Sequence, residues 1–271
     1  MNAKRTLRMV SGGILCAVFA AGLFAGVLTH DSYSRQFREA PNAVPSALHP
    51  LGTDNLGRDL LTRLLYGTRV SLLLAPAAAL VATLIAGLFG GVAGLAGGWS
   101  EKAILSAADL SMALPLLFVL IALRALMPLD ISPLISVIAT FVTLGILGWP
   151  GSLRVVWAAA RSLRNSDFLL LARANGCRSG RILLRHVLPN LRPVLFAQFW
   201  ISIPLFILTE ATLSMLGLGV MEPLPSWGNM LRGLEDFSAV RANPWMLSPL
   251  LLLVVVVICL QLMLPVQEEL T

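Results

Sequence analysis

Six long apolar stretches divide the chain, at approximately Leu7–Thr29, Val70–Leu95, Ala103–Met127, Pro133–Trp157, Leu191–Leu213 and Trp245–Leu264. Each is close to the ~20 mostly apolar residues that a helix needs to cross a hydrocarbon core. The pattern predicts six transmembrane helices separated by polar segments. The first stretch follows Lys4, Arg5 and Arg8 and contains small residues around Ala20–Ala21, as a cleaved signal peptide would. Its apolar run continues to Leu28, which is long for a signal core, so an uncleaved helix is expected.

Composition removes the soluble alternatives. Hydrophobic residues make up 57% of the 271 and charged residues only 13%, against roughly 25% charged in a soluble domain. So few charges cannot cover a water-facing surface. The 16 prolines and 22 glycines suit transmembrane helices, which tolerate both. The expected class is an all-α polytopic membrane protein. Its parts are a tail and first helix (1–29), a loop with an interfacial helix (30–69), a membrane core (70–265) with a polar loop at 161–189, and a tail (266–271).

The net charge is +6, and it is the placement of the Lys and Arg residues that sets orientation. Lys4, Arg5 and Arg8 precede the first span. Arg161, Arg164, Arg173, Arg178, Arg181 and Arg185 face a single acid, Asp167, between the fourth and fifth spans. Six spans put both termini and this loop on one side, the cytoplasm. The segments 30–69 and 214–244, nearly balanced in charge, then lie outside. The aromatics do not interleave with the basic residues, so no nucleic-acid partner is expected; lipid contact is.

Inside the spans, Gly87, Gly90, Gly91, Gly94 and Gly98 recur at three- and four-residue spacing. Such a stripe lets another backbone approach closely, either within the bundle or in a partner subunit. Pro115 and Pro204 favour kinks in the third and fifth spans. Arg124, near a helix end, can snorkel. Asp109 and Glu210 need a partner or a water-filled face. With Pro115 they are the candidates for lining a translocation pathway; for Glu210 a structural hydrogen bond is the competing reading. The cysteines, Cys16, Cys177 and Cys259, have neither disulfide nor metal spacing. Leu15 before Cys16 argues against lipidation. No metal or other cofactor is expected.

The polar loop carries the most information. Asn165 or Ser166 can cap a helix whose first turn holds Asp167. Phe168, Leu171, Ala172 and Asn175 share one face, and Gly176 is a natural stop. Ser179 can cap a second short helix ended by Pro189. Two short helices joined at a glycine and rimmed with arginine can rest on anionic lipid or dock a cytoplasmic partner.

Three ordered strings carry a family resemblance. ARANGCRSGRILLRHVLPN (172–190) resembles the cytoplasmic loop motif of ABC-importer permeases: Glu-Ala-Ala, three residues, Gly, then a hydrophobic-x-Leu-Pro ending. Ala172, Gly176, Val187, Leu188 and Pro189 match it; Leu170 and Leu171 stand where the motif has Glu and the first Ala. HPLGTDNLGRDLLTRLLYGTRVSL (49–72) and TEATLSMLGLGVMEPLPSWGNML (209–231) are similar to C-type permeases of dipeptide, oligopeptide and nickel importers. Asp109, Pro115, Trp149, Pro150 and Arg154 also fall at familiar places. The resemblance covers residues 48–265.

It implies the MetI-like type I importer permease fold in the bacterial inner membrane. It also implies a homologous second permease, two cytoplasmic ATP-binding subunits and an extracytoplasmic solute-binding protein as partners. The coupling residues would be Phe168, Leu170, Leu171, Ala172, Arg173, Gly176 and Pro189. The loop's first helix would sit in an ATPase groove; with Leu170 where the motif has Glu, the contact would rest on apolar packing by Phe168, Leu170 and Leu171 in a groove changed to match, or coupling would be weak. The chain lacks Gly-x-x-x-x-Gly-Lys-Ser/Thr, so it is expected to be no enzyme, ATP hydrolysis belonging to partners. The expected cargo is di- or oligopeptides, or a related solute such as a nickel chelate. The alternative, a stand-alone carrier or channel, predicts an inverted repeat that the sequence does not display. A membrane-embedded enzyme would need a nucleophile or metal cluster, whereas His30, His49 and His186 are scattered. Among the outer segments, 31–48 is expected along the surface. Leu56, Leu60, Leu61, Leu64 and Leu65 make an apolar helical face, with Arg58, Asp59, Thr62 and Arg63 polar, which suits an interfacial helix leading into the second span; a helix packed on the bundle and contact with the binding protein are the other readings. Met221–Arg232 should form a turn-rich cap, with Trp227 at the membrane interface.

Overall fold

A computed structural model describes residues 2–29, 31–126, 128, 132–235 and 237–264. His30, the Met127 end of the third span and the tail 266–271 lie outside the described residues. All the long elements are helices: α1 (Asn2–Leu23), α2 (Leu60–Ala96), α3 (Gly98–Ala113), α4 (Leu116–Ala125), α5 (Pro133–Leu147) and α6 (Trp149–Leu163). Then come α7 (Asp167–Ala174), α8 (Ser179–Ile182), α9 (Arg192–Met215), α10 (Trp227–Leu231) and α11 (Ser248–Leu262). Among the described residues, five helical segments are long and apolar enough to span a membrane, or six if the bent pair α3–α4 is one span. The six-span expectation therefore holds, with one span broken.

The break lies at Pro115, where α3 and α4 meet at 75°. Proline clashes with a helical residue before it, and Leu114 is extended (φ −90°, ψ 120°). Pro204 behaves differently. The helix α9 runs through it without a stop, and Ile203, Phe206 and Ile207 around it are buried. Pro76, which no expectation singled out, is likewise carried inside α2.

Contacts group the chain into two units. The first comprises Met1–Ala75, Leu123–Phe141 and Pro204–Thr271; the second comprises Pro76–Ala122 and Val142–Ile203. In the first unit α1 packs along α11. The segment 31–59 does not simply run along a surface. It folds back on itself: Phe37 N–H donates to Gly57 O (2.8 Å) and Asn42 N–H to Asp54 O (2.9 Å).

The helix expected before the second span is continuous with it from Leu60 onward. It is packed into the fold on both sides: Leu60 and Leu64 are buried, and so are Arg58, Asp59, Thr62 and Arg63, all under 9% exposed, whereas Leu56 is 48% exposed. Ion pairing explains how the charged residues are buried. Arg58 Nε donates to Asp54 Oδ2 (2.7 Å), and Arg63 Nη2 donates to Glu222 Oε1 (2.9 Å). Burying charge costs little when every charge is paired and hydrogen-bonded.

In the second unit the glycine stripe settles α2 against its own chain. A Cβ on Gly90 would lie 3.0 Å from Leu153 O, and one on Gly94 would lie 2.6 Å from Ala160 Cβ and 2.9 Å from Trp157 O. Gly87 and Gly91 face Leu195 and Leu183 in the same way. Glycine lets α2 and α6 approach to backbone contact. Gly98 lies past the contact, in open space.

Candidate functional site

The loop from Arg161 to Asn190 is ordered by its own chemistry. Asp167 stands in the first turn of α7, whose N-cap is Ser166. Ser166 makes no capping bond; its hydroxyl donates to Leu163 O (2.6 Å) instead. At the other end Cys177 N–H donates to Ala172 O (3.1 Å) and Gly176 N–H to Arg173 O (2.9 Å). This is a Schellman closure, and its left-handed residue is Gly176 at φ +72°. Ser179 is the first residue of α8 and not its cap. A π-turn, Leu183–Val187, follows and brings Leu183 and Val187 to the same buried side as Ile182.

The two faces of α7 have different destinations. Leu169 (0% exposed) and Ala172 join Val156, Ala160, Ile182, Leu183, Val187 and Leu191 in one cluster, with Val92 and Leu95 of α2 packed against it. Phe168, Leu170 and Leu171 point outward at 41%, 48% and 64% exposure, and Leu184, further along the loop, is 65% exposed. Arg173, Gly176, Arg178, Arg181 and Arg185 are exposed, and Pro189 is half-buried. Ala172 is thus a correction to the shared face expected with Phe168 and Leu171. It belongs to the anchor, because with Leu169 it forms the i, i+3 stripe facing α6. The sequence does not mark Leu169 as the anchor: in a run of Phe and three Leu, apolar periodicity has nothing to separate.

The ionisable residues of the spans have partners. Asp109, half-exposed on α3, pairs with Arg154 of α6. Beside them Glu101 Oε1 accepts from Trp157 Nε1 (2.9 Å) and from Arg161 (3.2 Å). Neither Arg154 nor Glu101 was expected as a partner, although an arginine within the fourth predicted span was itself the signal. Pro115 is exposed at the bend. Arg124 donates to Ser136 Oγ (2.7 Å) instead of simply reaching for the interface.

Glu210 is wholly enclosed. Its Oε1 accepts from Ser214 Oγ (2.6 Å) and Ser226 Oγ (2.8 Å). Ser226 also begins α10 through a reciprocal cap with Asn229. Trp227, expected at the interface, is 0% exposed. Its indole N–H donates to Thr68 Oγ1 (3.0 Å), and glycine at 67 and 228 lets the segment seat against α2 and α9. A buried hydrogen-bond partner for the indole makes the core position favourable. Beside this cap lies a polar cavity of about 370 Å³ lined by Asp54, Arg58, Arg63, Glu222, Arg232 and Glu235 among others.

These features define a multi-pass helical membrane protein with an ordered arginine-rich loop and a charged cap on its spans. The chain belongs to the family of binding-protein-dependent transport system inner membrane components, which matches residues 83–269. It is therefore an inner-membrane permease component with the MetI-like fold. It is 35% identical over 242 residues to the dipeptide transport system permease protein DppC of Bacillus subtilis, covering 89% of this chain and 73% of that one. It is 32% identical over 241 residues to the oligopeptide transport system permease protein OppC of the same organism, covering 89% and 76%. The DppC of Alkalihalophilus pseudofirmus is 33% identical over 242 residues, covering 89% and 77%.

Proposed function

We propose that this chain is the transmembrane permease subunit of an ATP-driven importer for di- or oligopeptides, or a related small solute such as a nickel chelate. Its loop 161–189 is the contact for a cytoplasmic ATPase. A homologous permease, two ATP-binding subunits and an extracytoplasmic solute-binding protein complete the assembly. Both termini and the loop face the cytoplasm. The names of its relatives, which specify dipeptides and oligopeptides, support the cargo.

The observation that carries the docking role is the division of α7. Leu169 and Ala172 fix the helix to the membrane body, while Phe168, Leu170 and Leu171 are left uncovered inside an arginine rim. An exposed apolar patch with a charged border fits a protein groove better than water. A rigid element that binds two states of a partner unequally transmits the difference. Asp109 and Pro115, both exposed, are assigned to the pathway. Glu210 is assigned to holding the cap.

The test replaces the outward face and leaves the anchor alone. Phe168→Asp with Leu171→Asp should insert normally, lose copurification of co-expressed ATP-binding subunits, and lose uptake. Normal copurification with normal peptide uptake would remove the docking role.

A further inference from the structure

The polar cavity of about 370 Å³ beside the cap lies wholly in the first unit. It falls within the range of small-ligand pockets, about 300–1,000 Å³. Its wall carries three arginines, Arg58, Arg63 and Arg232, and three acids, Asp54, Glu222 and Glu235. Four of these six are spent on one another. Glu222 accepts from Arg58 Nη1 (2.7 Å) and from Arg63 Nη2 (2.9 and 3.1 Å), and Asp54 accepts from Arg58 Nε (2.7 Å). The other two, Arg232 and Glu235, are exposed. Among the described residues neither has an ion pair or a side-chain hydrogen bond, and they do not pair with each other. Local geometry sets their spacing. They are the first and last residues of a 3₁₀ turn, Arg232–Glu235. In such a turn the side chains at i and i+3 eclipse, and three residues rise about 6 Å. A free cation and a free anion therefore line one cavity about 6 Å apart along the turn. Met230 and Met246, both buried, supply apolar lining beside them.

We infer that this cavity is a receiving site for a zwitterionic dipeptide. The carboxylate meets Arg232, the ammonium meets Glu235, and the side chains lie against Met230 and Met246. The ends of an extended dipeptide are about 7 Å apart, close to the spacing that the turn presents. A single amino acid holds its two charges too close together to reach both groups. An extended tetrapeptide is about 14 Å long, so only one of its ends is held. Both contacts are charge-assisted, which makes them the strong part of the recognition. Methionine adapts to side chains of different shape, so the cavity reads the two ends of the ligand and not its side chains. The paired wall behind the turn adds no net charge, and a ligand that is itself neutral overall enters without leaving a charge unmatched. The inference rests on the import reading above, under which the cap faces outward and meets the solute before the membrane does.

The test is saturation-transfer NMR on the full chain in lipid nanodiscs, with no binding protein present. The probes are dialanine, N-acetyl-dialanine, dialanine amide and tetra-alanine. The parent should prefer dialanine to each of the other three by about tenfold, the loss of one bond to a charged group. Arg232→Gln should lose the preference over the amide and keep that over the acetylated form. Glu235→Gln should do the reverse. Misfolding cannot produce this crossed selectivity, and both side chains are exposed, so the thermal midpoint should stay at the parent value. No dialanine binding by the parent, equal binding of the four probes, or unchanged selectivity in both variants would overturn the site. Unchanged selectivity with weaker capture of a co-expressed solute-binding protein would overturn it too, because the cavity would then be a protein contact. Peptide uptake by the co-expressed transporter is measured in parallel. Uptake without selectivity at the cavity rejects this site alone, whereas absence of peptide uptake rejects the import reading.

Discussion

Gly94→Ala is the sharpest perturbation available in the second unit. The added methyl would lie 2.6 Å from Ala160 Cβ, 2.8 Å from Arg161 N and 2.9 Å from Trp157 O. Carbon atoms settle at about 3.5–4.0 Å, so roughly 1 Å is missing. Two of the three obstacles are backbone and have no rotamer to change. The helices α2 and α6 must therefore separate by up to that distance. A gap of about 0.5–1 Å forfeits a quarter to a half of each dispersion contact, and the loss spreads to Gly90, whose own neighbour is Leu153 O. Overpacking of this kind costs about 1–3 kcal/mol, with the upper half expected here. Alanine recovers about 1 kcal/mol of helix propensity, which leaves a net loss of about 1–2 kcal/mol. Gly151→Ala on α6 is the control, since a methyl there meets nothing within 4 Å; it should gain about 0.4–1 kcal/mol. Both variants would be heated in detergent and the surviving monodisperse fraction measured by size-exclusion chromatography. The midpoints should move in opposite directions. If Gly94→Ala melts at or above the parent, the close crossing of α2 and α6 is not a tight contact and the reasoning fails.

Three further outcomes follow from the loop and the cap. Gly176→Pro should abolish ATPase copurification, because proline fixes φ near −65° against the observed +72°; Gly176→Asn, which tolerates that conformation, should retain most of it. Glu210→Leu should destabilise the chain by about 1–3 kcal/mol by stranding the hydroxyls of Ser214 and Ser226, whereas Glu210→Gln keeps an acceptor and should cost less in the same thermal assay. In intact cells a membrane-impermeant maleimide should leave Cys177 unlabelled and label a cysteine placed at Asn55; labelling of Cys177 from outside would reverse the topology.

The spans were legible because one property, a sustained apolar run, decides them. The glycine stripe was legible too, though its destination was not: spacing indicates that something approaches, and only the fold shows it to be α6. The loop's turn at Gly176 could be read from a single residue, because few others adopt positive φ. Its faces could not be read, since Phe168, Leu169, Leu170 and Leu171 are equally apolar. The burial of Arg58, Asp59 and Arg63 was not legible: amphipathic periodicity leaves a packed and an interfacial helix equally open, and only the charges' partners decide between them. Asp59 meets His49, ten residues away, and the partners of Arg58 and Arg63, Asp54 and Glu222, lie four residues and about 160 residues away, so the pairing with Glu222 has no local signature. Trp227 was misplaced for a related reason: its partner Thr68 belongs to a distant helix.

The anchoring of α7 has a mechanical consequence. Leu169 and Ala172 share their cluster with the ends of α2 and α6 and the start of α9, so the outward face of α7 is not mounted on a spring. Protein interiors are dense and nearly incompressible. A push on Phe168 cannot be absorbed by slack between the loop and the helices that carry it. Under the proposed docking, an ångström of travel at the ATPase groove arrives at three membrane helices as an ångström of travel. In that docking the loop would be the handle of a lever whose stiffness resides in the buried Leu169 and Ala172 and not in the arginines that dominate its sequence.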